Sequence, residues 1–117
     1  MTEETESTNI TKVSEITIKD IQDYIRLDEI SAEDEKLLNK LLNIAKNFIK
    51  SYTGLTYQEI DTHEDFIIVV YVLCQDMWDN RTLYVDRTNL NKVVETILGM
   101  HSVNLLWELT QVNIIKK

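Results

Sequence analysis

The sequence predicts an all-α protein: a small helical bundle of about four helices around a central hydrophobic helix. Three observations carry that expectation. The 117 residues contain no proline and only two glycines, Gly54 and Gly99, and such scarcity of breakers favours helices with short connections. The stretch from Lys36 to Tyr52 alternates apolar and polar residues at helical spacing. The stretch Thr62 to Arg81, THEDFIIVVYVLCQDMWDNR, holds nine unbroken apolar residues from Phe66 to Cys74.

That apolar run organises the rest. Taken alone, its valines and isoleucines would also suit a buried strand. Thr62 followed by Asp65 resembles a capping box, and the run continues through Met77 and Trp78, so a helix is expected. Its first turns are apolar on every side, which places it in the middle of the bundle. It turns polar only at Gln75, Asp76, Asp79 and Asn80. Arg81 is expected at its C-terminus, where a cation interacts well with exposed carbonyls.

The other elements follow in order. Residues 1–15 are rich in Thr, Glu and Ser and are expected to form a flexible acidic tail. Thr17, with Asp20 three positions on, opens a short helix carrying Ile18, Ile21, Tyr24 or Ile25, and Leu27 at helical spacing. Asp28 to Ile30 makes the turn. Ser31 caps a second helix, with Asp34 in the box position and Glu33 and Glu35 beside it. Leu37, Leu38, Leu41, Leu42, Ile44, Ala45, Phe48, Ile49 and Tyr52 share its broad apolar face. Lys36, Lys40, Lys46 and Lys50 lie opposite. Gly54 is the expected left-handed stop. Leu55 to Asp61 connects to the central helix, with Tyr57 and Ile60 as anchors. Thr82 to Thr88 is a polar loop containing Leu83, Tyr84 and Val85. A last helix is expected from about Asn89, with Leu90, Val93, Val94, Ile97 and Leu98 as a narrow apolar stripe. Beyond it, alternation at Leu105, Trp107, Leu109, Val112 and Ile114 predicts an extended arm. The expected division is therefore a tail (1–15), a helical domain (16–102) and an arm (103–117).

Composition narrows the function. The length suits one domain with a real core. Cys74 has no partner for an internal disulfide and reads as a small buried hydrophobe in a non-oxidising setting. The N-terminus does not resemble a signal peptide, and no apolar run approaches the roughly 18 residues that span a bilayer. The net charge is −8 and uneven: residues 1–65 hold 15 acids against 7 bases, while residues 66–117 hold 5 of each. Such a chain gains nothing from counterion release on DNA. It suits a surface past which DNA slides without sticking.

Motifs for catalysis are missing from the sequence. There is no Gly-rich phosphate loop, nucleophile elbow or paired metal-ligand spacing. The acidic trio Glu33–Glu35 fits a solvated helix start. The lysines of the second helix lack interleaved arginines and aromatics and fit a solvated face. His63 is expected to be exposed in the first turn of the central helix, and His101 has no partner at a telling spacing. No enzyme, metal or cofactor is expected.

Four pieces occur in a telling order: YIRLDE (Tyr24 to Glu29), SYTG (Ser51 to Gly54), MWDNR (Met77 to Arg81), and a leucine- and valine-rich helix leading to a terminal arm. Over roughly Ile16 to Leu106 the chain resembles the head–tail connector family of long-tailed bacteriophages, also called adaptor or DNA-packaging proteins. The resemblance implies a structural protein of the virion neck, made in the cytoplasm of a bacterial host. It implies a homo-oligomeric ring, commonly about twelve-fold, beneath the portal protein. Such a ring extends the DNA channel, lets DNA pass without specific binding and docks stopper or tail-completion proteins. The family has no catalytic residues. Its terminal arms and loops make the contacts, which points here to Tyr57, Arg81 and Tyr84, and to Leu105, Trp107, Val112 and Ile114. The acidic tail and longer C-terminus depart from many relatives.

Two other roles compete. A helical DNA-binding regulator would show a basic recognition helix and a tight glycine turn, and neither is seen. A free-standing adaptor would hold a partner helix in an apolar groove.

Overall fold

A computed structural model describes residues 10–103, and these form an all-α bundle with no strand among them. Five α-helices follow in order: α1 (Ile18–Ile25), α2 (Ala32–Thr53), α3 (Tyr57–Ile60), α4 (Phe66–Asn80) and α5 (Lys92–His101). Two 3-10 turns, Val13–Glu15 and Arg87–Asn89, complete the described chain.

Local chemistry sets the first helices as expected. The Thr17 hydroxyl accepts from the Asp20 backbone N–H, and Asp20 returns the bond to the Thr17 N–H at 2.8 Å. Ser31 and Asp34 make the same reciprocal box at the head of α2. Each box satisfies backbone donors that the helix leaves without partners. α2 ends at Thr53, and Gly54 follows with φ 79°, a left-handed position that glycine takes without steric penalty. The Thr53 hydroxyl is buried. It donates to the Ile49 carbonyl at 2.7 Å and accepts from the Leu55 N–H at 3.2 Å.

α4 packs against α1, α2 and α5, and against the turn at Val13–Glu15. Phe66, Val69, Val70, Leu73, Cys74 and Met77 are buried on it. They meet Leu38, Leu41, Leu42, Ala45 and Ile49 of α2, Ile21 of α1, and Val94 and Leu98 of α5 in one core. Burial of each larger side chain contributes about 1.5–3 kcal/mol. α5 returns to the start of α4, because His101 at its end touches Asp65.

Several boundaries differ from expectation. The chain is already packed before residue 16: Val13 is buried, Ile10 lies against the core, and the Ser14 N–H donates to Asp61 Oδ1 at 3.0 Å. Two apolar residues in a polar stretch are too few to produce a visible period. The 55–61 connection contains α3, capped by a Thr56–Glu59 box. Thr62 does not cap α4. Its hydroxyl donates to the Glu59 carbonyl at 2.6 Å, closing the end of α3, and α4 begins three residues beyond His63 with Asp65 as its N-cap. α5 starts at Lys92 rather than Asn89. Asp86 accepts from Thr88 and Asn89 and holds a 3-10 turn there, and Asn91 then caps the helix through the Val93 and Val94 N–H groups. Those hydrogen bonds also hold the exposed Asp86 carboxyl below its ordinary pKa, Asn89 contributing most and Thr88 next. Val93, on the narrow apolar stripe of α5, is 55% exposed. Trp78, at the end of the apolar run, is half-buried at the edge of the core.

Candidate functional site

Large apolar side chains left in solvent mark where a small bundle can be extended by a partner. Eight are exposed among the described residues: Tyr24, Tyr57, Ile68, Leu83, Tyr84, Val93, Met100 and Val103. Five of these fall between Leu83 and Val103, so the exposed apolar surface is concentrated in the last quarter of the described chain. Val93 and Met100 are two helical turns apart and therefore lie on one stripe of α5. The buried stripe of that helix is Val94 and Leu98.

The sequence-predicted contact residues fall into separate places. Tyr84 is 63% exposed on the loop after α4. It lines a groove of about 310 Å³ together with Asp76, Met77, Asn80, Val85 and Leu90. Burial in this groove raises the Asp76 carboxyl above its ordinary pKa, with the nearby Asp79 charge adding to it. Arg81 ends α4 in a left-handed conformation, and its guanidinium lies 4.8 Å from the Trp78 ring. Tyr57 is half exposed on α3. Its hydroxyl donates to Asn47 Oδ1, and the Lys50 ammonium lies 5.7 Å from its ring, so the chain folds back along α2 here. Leu105, Trp107, Val112 and Ile114 lie outside the described residues, as does the arm itself beyond Val103.

A second cluster escaped the sequence. His63, Asp65 and His101 converge, each half-buried, with one candidate ligand atom from each lying within 4.8 Å of the others. His63 sits on the turn between α3 and α4 rather than exposed within a helix. His101 Nε2 lies 2.9 Å from Asp65 Oδ2. The two imidazole centroids are 4.0 Å apart with planes 30° off parallel. Phe66 sets its ring edge-on to both, at 5.6 Å from His63 and 5.0 Å from His101. The histidines are 38 positions apart in sequence, so no local spacing announces them; only the return of α5 to the head of α4 brings them together.

Comparisons with protein-family models, curated proteins and solved structures find no match to this chain.

Proposed function

We propose that the protein is a structural subunit of a bacteriophage neck, a head–tail connector that forms a ring beneath the portal and docks stopper or tail-completion proteins. The observation that carries this reading is the concentration of exposed apolar side chains from Leu83 to Val103. A head-to-tail ring needs two different complementary patches on each subunit. The 82–90 loop with its groove supplies one, and the apolar C-terminal segment containing Leu105, Trp107, Val112 and Ile114 supplies an occupant. The all-α fold and the acidic balance are compatible with a conduit that DNA crosses without adhering.

The test is native mass of the purified chain, alone and with a portal protein encoded beside it. A ring or a portal complex is expected, and deletion of Leu105–Lys117 or the pair Leu83→Ser and Tyr84→Ser should abolish it while circular dichroism still reports the same helix content. A monomer that ignores the portal would refute the assignment.

A further inference from the structure

We infer that His63, Asp65 and His101 form a binding site for a divalent transition-metal ion of the zinc class, which ties the start of α4 to the end of α5. This does not depend on the connector reading. The argument begins with what helix-end electrostatics already explain. Asp65 stands at the N-cap position of α4 without a side-chain capping bond, where negative charge is favoured, and His101 ends α5, where positive charge is favoured. Their contact at 2.9 Å needs nothing further. His63 is not explained in this way. It brings a second imidazole face to face with the first and places a ring nitrogen near the same carboxylate. A cation shared by the three groups accounts for that convergence.

The donor set selects the ion. Two imidazoles and one carboxylate suit zinc, and by the same preference cobalt, nickel or copper; calcium and magnesium take oxygen ligands. Donor atoms around a tetrahedral zinc at bond lengths of about 2.0–2.1 Å sit about 3.3 Å apart. The 2.9 Å contact must therefore open slightly, and the widest separation, up to 4.8 Å, must close. His63 can make that adjustment, because it lies on a turn outside both helices. Three protein ligands leave a fourth position for water or for a donor from another chain. Phe66 walls one side of the site with apolar surface, which limits access of water to the bound ion.

The experiment uses the full chain without a histidine tag, near neutral pH. Zinc is titrated by calorimetry, and cobalt is added as a spectroscopic probe. One ion per chain is expected, with visible cobalt bands characteristic of nitrogen and oxygen donors in a tetrahedral field. Zinc should raise the melting temperature, and excess calcium should not displace it. His63→Ala leaves the Asp65–His101 pair in place. It should weaken zinc binding at least about tenfold, as even the loss of an outer-shell partner can, and remove the thermal shift. His101→Ala should do the same, with helix content checked by circular dichroism. Absence of one-to-one binding, displacement by calcium, or unchanged affinity in His63→Ala would each overturn the site.

Discussion

The phenol rings of Tyr24 and Tyr71 are stacked, with centroids 4.9 Å apart and planes 23° off parallel. The stack fastens α1 to the central helix at a place where Tyr24 is still partly exposed. A pair of this kind contributes about 0.5–1.5 kcal/mol beyond area burial. A double-mutant cycle of Tyr24→Leu and Tyr71→Leu should return a coupling in that range by chemical denaturation. Burial, followed by the charges of Asp20 and Asp23, raises the Tyr71 phenol above its ordinary pKa of 10.0. The unfolded chain therefore loses this proton first as pH rises. The stability contribution is complete below pH 10 and declines as pH climbs through the folded value. Spectrophotometric titration should show a late phenol component, which Tyr71→Phe removes.

Cys74 should be chemically silent in the native protein. Its side chain is fully buried, and burial pushes the thiol from 9.0 up to about 12, against a smaller opposing pull from Lys46. Because thiolate is the reactive form, a disulfide reagent at pH 8 should label the chain only after denaturant is added. The sign of the linkage matches that of Tyr71: the contribution is intact below pH 9 and is withdrawn as pH rises toward 12, by up to about 4 kcal/mol. Cys74→Ala should flatten the alkaline slope of stability. Rapid labelling of the folded chain would contradict the placement of this residue.

Two arginines occupy left-handed backbone positions, with different consequences for replacement by glycine. Arg26 has φ 70° after α1 and Arg81 has φ 54° after α4. A side chain there costs about 1–2 kcal/mol. Replacement by glycine relieves that strain but adds disorder to the unfolded chain. Arg26→Gly should therefore stabilise the fold by about 0.5–1 kcal/mol. Arg81→Gly gains the same relief but loses the guanidinium over Trp78, worth about 0.5–1 kcal/mol at an exposed site. Its net effect should be near zero. Thermal denaturation of the two variants side by side distinguishes the positions.

Local chemistry made the framework legible in the residues themselves. The boxes at Thr17–Asp20 and Ser31–Asp34 and the stop at Gly54 work through hydrogen bonds within a few positions, so the sequence pattern contains both partners. The length and apolar face of α2 were readable for the same reason, and the unbroken run from Phe66 to Cys74 announced a helix surrounded by others. α3 was also written there, in the Thr56–Glu59 box, but was obscured by its four-residue length. Thr62 shows where local reading reaches its limit. The hydroxyl placed by the Thr62–Asp65 pattern to open α4 donates to the Glu59 carbonyl and closes α3 instead.

The residue pattern alone carries the four longer helices and their apolar faces, because backbone hydrogen bonding and capping act over three or four residues. Which apolar residues stay in solvent, Val93 and Met100 among them, depends on how much of a helix its neighbours cover, and so on the packed fold. It alone brought His63, Asp65 and His101 to one place, because their proximity arises from the path of α5 back across α4 and from no interval along the chain.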